Sequence, residues 1–308
     1  MLTSLRRLSP GVLPILGAST LLLLSDLGSR IRAEGRESTP AVAVGPQYGS
    51  THVYLAPADV APFAASFLAT FGGKSTKPAV ATVTPTPSRT ISELILTPVG
   101  LLSVFGYETP IPYPFGQERT GYLVSDLDLA IGAARATGAE VLVAPFPDPI
   151  GRDAIVAWPG GVTTQLYWHT LAPSYPPLAT IPENRVYVSP DRAVAFVQSF
   201  LAFARGRIGA DEARAPGSEI GRPLETCHRI RLDSAFGKWT VFISDGHLPY
   251  PYGRELTGYE VADLAATLAK ARSAGADILA GPYSAGDRQA AMVRFPGGYI
   301  AEIHAPTR

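Results

Sequence analysis

Glu302 and His304 stand two positions apart in the run Tyr299-Ile-Ala-Glu-Ile-His304. Alternate side chains of an extended strand share a face, so this carboxylate and imidazole are expected side by side, with Ala301 and Ile303 turned away. Such a pair can exchange protons or hold a cation. The same sorting applied to other strand-like runs gives more polar rows. His52 and Tyr54 oppose Val53 and Leu55. Arg185 and Tyr187 oppose Val186 and Val188, and Gln165, Tyr167 and His169 oppose Leu166 and Trp168. Helices need an apolar row to cover, so the Val, Leu and Ile rows should lie beneath helices and the polar rows on the other side of a curved sheet. That polar side is open to three readings: solvated surface, a barrel interior satisfied internally, or the lining of a cup that holds a small-molecule ligand between aromatic walls and a few polar anchors.

The elements that position these residues repeat. Leu248-Pro-Tyr-Pro-Tyr-Gly-Arg-Glu-Leu-Thr-Gly-Tyr259 restates Ile111-Pro-Tyr-Pro-Phe-Gly-Gln-Glu-Arg-Thr-Gly-Tyr122, 137 positions earlier. Ala134-Arg135 and Ala271-Arg272 follow at that offset, as do Trp158-Pro-Gly-Gly161 and Phe295-Pro-Gly-Gly298. A period this long is a whole-domain duplication rather than a solenoid repeat. Within each half the order reads strand, helix and three strands, twice over, so the fold class is α+β with four βαβββ units in two pairs. Helices are expected at Asp59–Phe71, Asp126–Thr137, Pro190–Ala204 and Asp263–Ala274, three of them stopped by the glycines that follow. The Pro-rich stretch 171–182 reads as a linker between a domain at 46–170 and another at 183–308.

Bulk properties narrow the partners. The 26 basic and 26 acidic residues balance without a long run of either sign, which disfavours a nucleic-acid surface. The single cysteine, Cys227, excludes an internal disulfide and a cysteine-built zinc cage. Residues 1–45 carry Arg6-Arg7 ahead of a short apolar run, Val12 to Leu24, the pattern of a secretory signal; export to the periplasm or medium is expected, with no stable membrane domain after its removal. The oligomeric expectation is monomer or homodimer.

Paired βαβββ units with a Pro-Gly-Gly turn before the last strand resemble the vicinal oxygen chelate superfamily, which includes glyoxalase I, bleomycin resistance proteins and extradiol dioxygenases. The resemblance covers about residues 46 to 308. It implies two tandem glyoxalase-like cup domains, each built from two units, and a divalent metal held by His and Glu from the first and last strands. Carried over, the first half offers His52, Ser103, Tyr122 and Gln165, and the second offers Arg185, Thr240, Tyr259 and Glu302. Neither set is a two-His-one-carboxylate triad, and a guanidinium cannot ligate a metal.

The expected active pocket is in the second domain. There Glu302 and His304 are the candidate metal ligands, Tyr259 the hydrogen-bond donor or weak acid, His304 the alternative base, and Arg185 the anion anchor. Tyr187, His52, Tyr122, Gln165 and His247 complete the candidate ligand-binding set. The expected function is small-molecule binding, extending to lyase or dioxygenase chemistry at a non-standard metal site. The alternatives are a metal-free sequestering module and a non-catalytic interaction protein.

Overall fold

The computed structural model describes residues 41–307; the expected signal segment lies almost wholly outside them. The first half contains β1 (Gly49–Leu55), α1 (Val60–Phe71), β2 (Lys74–Ser75), β3 (Ala79–Ala81), β4 (Thr90–Thr97), β5 (Gly100–Tyr107), β6 (Arg119–Leu123), α2 (Leu127–Ala136), β7 (Glu140–Asp148), β8 (Gly151–Ala157) and β9 (Thr163–His169). The second contains β10 (Glu183–Val188), α3 (Ala193–Ala204), β11 (Arg207–Pro216), β12 (Thr226–Ser234), β13 (Gly237–Ile243), β14 (Leu256–Glu260), α4 (Leu264–Ser273), β15 (Asp277–Ser284), β16 (Arg288–Arg294) and β17 (Ile300–Pro306). No helix among the described residues is long and apolar enough to cross a membrane.

Each half forms its own sheet, and the two share one topology. The orders are β2-β4-β5-β1-β6-β9-β8-β7, with β3 also on β4, and β11-β12-β13-β10-β14-β17-β16-β15. In both, the first strand lies parallel to one neighbour and antiparallel to the other, which joins two βαβββ units at the centre of the sheet. The short edge strands β2 and β3, and the long β11, lie beyond the sequence expectation. β11 is rich in charge (Arg207, Asp211, Glu212, Arg214), as suits an edge exposed to water, and its run therefore lacks a buried apolar row.

Equivalent local signals make equivalent elements. Asp126 and Asp263 cap α2 and α4, each accepting a hydrogen bond from the backbone N–H three residues on, at 2.9 Å. The Pro-Gly-Gly turns place Gly160, Gly161, Gly297 and Gly298 at positive φ, where a Cβ is strained.

The helices lie between the two sheets. Val53, Phe63 and Phe67 from the first half share one cluster with Leu264, Phe295, Tyr299 and Ile303 from the second. Trp158 packs on Phe200 and Phe203 of α3. This layer also holds two expected site residues, and their assignment to the cups is corrected here. The Tyr122 hydroxyl accepts hydrogen bonds from Asn184 Nδ2 and Trp239 Nε1 of the other half. Tyr259 is wrapped by Phe67 and Phe71, with its hydroxyl 2.8 Å from that of Tyr299. Strand alternation gives the reason: the cup-facing residues of β6 and β14 are Gly121 and Gly258, so their tyrosine neighbours face the opposite way.

Replacing Tyr122 by Phe leaves two buried donors unpaired and is expected to cost about 1–3 kcal/mol. Tyr259→Phe strands only one hydroxyl and should cost about 1 kcal/mol. Urea unfolding of the two variants checks the order.

Candidate functional site

The inner faces of the two sheets differ in what fills them. In the second, Arg185 projects from β10 and is 1% exposed. Its Nη1 lies 3.0 Å from both Glu183 and Glu302, and its Nη2 3.3 Å from Glu219. Arg229 also pairs with Glu219, and with Glu212 at 2.7 Å, while Arg288 donates to Glu183 at 3.0 Å. Glu302 Oε2 lies 3.3 Å from His304 Nδ1, and His304 Nε2 lies 3.3 Å from Arg288 Nη1. Burial opposes ionisation of Glu183, but Arg288, His304 and Arg185 together hold its carboxyl far below the usual range. Glu302 is lowered against the same burial cost, by Arg185 first and then His304.

The chain itself closes this cup. A 3₁₀ turn at Gly217–Ile220, between β11 and β12, sets Glu219 between Arg185 and Arg229. Ile220 joins a cluster with Cys227 and Phe242, and Leu256, Met292 and Ile300 fill the other flank. Cys227 is a packed thiol, pushed up to about 11 by burial.

A metal does not fit here. Glu302 Oε2 is held by the Arg185 guanidinium while its Oε1 has no partner, and both nitrogens of His304 are engaged. Among the described residues no group of three His, Cys, Asp or Glu side chains is arranged to hold an ion. The expected metal ligands Glu302 and His304 are thus committed to this network. His247 stands apart, its side chain 89% exposed in a loop beside Asp245. Tyr187 stacks on Phe242 at 5.3 Å within the filled cup.

The first sheet encloses a cavity of about 280 Å³. Tyr54, Phe105, Tyr107 and Phe115 form its walls, and Lys77 and Asp148 stand among its lining residues. Where the second half has its 3₁₀ plug, the first offers Ala79, Ala81 and Val83 to the space. Tyr175 of the 171–182 segment also lines it and packs on Tyr48 at 5.4 Å.

Polar residues enter the cavity from several strands. His52 Nε2 is 3.0 Å from Ser50 Oγ, and Gln165 Nε2 donates to Asp153 Oδ2 at 2.8 Å. Three buried atoms of its lining have no partner, Nδ1 of His52, Oε1 of Gln165 and the Tyr107 hydroxyl. Burial, aided by the Arg119 charge, lowers His52 to about 3, so its ring is neutral. Burial, with the Asp148 charge, raises Asp153 well above the carboxylate range. Tyr54 is pushed up to about 12, chiefly by burial. Gly121 makes room for the imidazole, since a Cβ there would stand 2.5 Å from His52 Nε2.

A divalent metal does not fit this cup either. His52, Glu93, Asp148, Asp153 and His169 all line it, yet no three such side chains among the described residues are arranged to hold an ion, Gln165 is tied to Asp153, and Arg119 projects beside His52 from the next strand. Of the expected residues, the structure brings together His52 and Gln165 in one cup and Arg185, Tyr187, Glu302 and His304 in the other. Asp153, Arg119, Glu183 and Glu219 escaped sequence reasoning. Asp153 carried a usable signal, a lone carboxylate entering the apolar run Ala154-Ile-Val156.

No protein-family model matches the chain, and no curated protein matches it in sequence. Solved structures do. A mutant of 4-hydroxymandelate synthase from Streptomyces coelicolor superposes with a TM-score of 0.56 at 16% identity, over 85% of this chain and 93% of that one. The Mn(II)-bound glyoxalase from Novosphingobium aromaticivorans gives 0.53 at 14% identity, over 86% and 83%. The 2,2',3-trihydroxybiphenyl 1,2-dioxygenase from Sphingomonas wittichii gives 0.52 at 13%, over 85% and 90%. The chain has the vicinal oxygen chelate fold, as two tandem glyoxalase-like cups.

Breaking the closed network should be costly. Glu219→Gln leaves Arg185 and Arg229 undercompensated and is expected to lose about 3–5 kcal/mol. The depressed carboxyls of Glu183 and Glu302 contribute stability that is present above their unfolded value, about 4.3, and is lost as pH falls below it. A Tm series from pH 7 to pH 3 should show a steep fall below about pH 4, and less of it in Glu302→Gln.

Proposed function

We propose that the first cup binds a small organic molecule without a metal ion, and that the second is a closed structural domain supporting it. The observation that carries this reading is a cavity with aromatic walls, lined also by two buried polar side chains, His52 and Gln165, that each keep an unpartnered atom. Native interiors pair nearly all their buried polar atoms, and groups left open in a cavity are the anchors a ligand uses. A neutral imidazole and an amide can each donate or accept, which orients a ligand while the rings supply contact area. The solved structures of this fold support a ligand-holding cup, since those named above include a glyoxalase and a dioxygenase. The guanidinium on Glu302 in one cup and the lack of a three-donor group among the described residues of the other support a metal-free form of it. The basic and apolar N-terminus supports export of this binding protein, which cell fractionation tests.

Binding is tested with the purified chain and a set of soluble aromatic fragments, by thermal shift and ligand-observed NMR. Several fragments should bind, and Ser103→Phe, which fills the cavity from β5, should weaken them at least tenfold without lowering Tm by more than a few degrees. A chelator should change neither Tm nor affinity. Silence across the whole set, or binding that disappears with the chelator, would overturn the reading.

A further inference from the structure

One charge near the first cup lacks an opposite. Arg119 begins β6, in register with His52 of β1, and is 1% exposed. Its Nη2 donates to the Pro114 carbonyl, its Nε to the Gln117 carbonyl at 3.3 Å, and Nη1 has no partner. The guanidinium carbon is 5.9 Å from the ring centre of Phe115, a wall of the cavity. No carboxylate pairs with it among the described residues, whereas Arg185, Arg229 and Arg288 of the other cup all have one. At the duplication offset the second half carries Leu256, packed against Met292 and Ile300. The fold therefore does not require a cation at this place, yet a buried one without a counter-charge costs several kcal/mol in desolvation.

The neighbouring groups do not supply a full counter-charge: Glu255, which feels the Arg119 charge, is pushed up to about 8, chiefly by burial. Asp153 is bonded to Gln165, and its burial favours the neutral acid. His52 is neutral as well. A protonated Asp153 can donate to Gln165 Oε1, and the amide, turned over, then presents its N–H₂ to the cavity; the two amide orientations are sterically alike. The surroundings then combine the Arg119 charge with hydrogen-bond donors.

We propose that the molecule this cup takes is a small monoanion, a carboxylate on an apolar body about the size of one ring. Its charge offsets that of Arg119 across the low-dielectric cup, its oxygens accept from His52 and the Gln165 amide, and its body lies against Tyr54, Phe105 and Tyr107. This deepens the binding reading above and rests on it.

The test is calorimetric titration of the full chain with phenylacetate and with its neutral isostere phenylacetamide. Wild type should bind the acid at least tenfold tighter than the amide. Arg119→Leu, the side chain the second cup carries at this position, should abolish that preference by weakening the acid alone, and should keep or raise Tm. Arg119→Lys, which retains the charge, should keep the preference and serves if the leucine variant fails to fold. Equal binding of the two probes, tighter binding of the amide, or a preference that survives in Arg119→Leu would overturn the anionic assignment while the cup reading stands. No binding of either probe, with wild type indistinguishable from Ser103→Phe, would overturn both.

Discussion

The apolar layer between the two sheets is the constraint on which the rest depends. Val53, Phe63 and Phe67 from one half bury themselves against Phe295, Tyr299 and Ile303 from the other, so neither sheet completes its core alone. Once one face of each sheet is committed to this layer, strand alternation sends the other row of every strand into a cup. Tyr122 and Tyr259 show how strict the division is. They are the most polar residues of their strands' inner row, and they remain in the layer by bonding to partners contributed by the same layer: Asn184 and Trp239 for one, Tyr299 for the other.

Two copies of one scaffold have resolved their inner faces differently. In the second, charges are numerous and paired, and the Gly217–Ile220 turn delivers Glu219 between two arginines. In the first, His52 and Gln165 occupy the register positions of Arg185 and Glu302, the plugging turn is missing, and small side chains border the space instead. A glycine stands beside each pair, Gly121 and Gly258. Its missing side chain is the volume that the imidazole in one cup, and the carboxylate with its arginine in the other, now take up.

The fold is shared with a Mn(II)-bound glyoxalase, while no three His, Cys, Asp or Glu side chains are arranged to hold an ion among the described residues here. A divalent ion needs several anionic or imidazole donors whose lone pairs are free. In the second cup one oxygen of Glu302 accepts from a guanidinium, and in neither cup are three such donors grouped to hold an ion among the described residues. What the first cup retains from the architecture is shape: a concave, aromatic-walled space with a few polar atoms that the chain does not satisfy itself. Fold and function separate here, since the fold fixes where a ligand can sit and the side chains decide what it is.

The sequence by itself determined the duplication, the βαβββ order, the caps and turns, and which rows of β1, β9, β10 and β17 are polar. These are local matters, set by periodicity and by residues adjacent in the chain. It did not determine the faces of β6 and β14, because a Thr-Gly-Tyr run offers no clear alternation and the conspicuous tyrosine draws attention from the glycine that faces inward. Nor did it reveal that Glu219, 34 residues from Arg185 in the chain, closes one cup, or that Arg119 stands uncompensated in the other. Only the tertiary structure decided those points. Whether a charge is neutralised, and whether a hollow is filled, depends on residues distant in sequence meeting across a sheet, and no spacing along the chain encodes that distance.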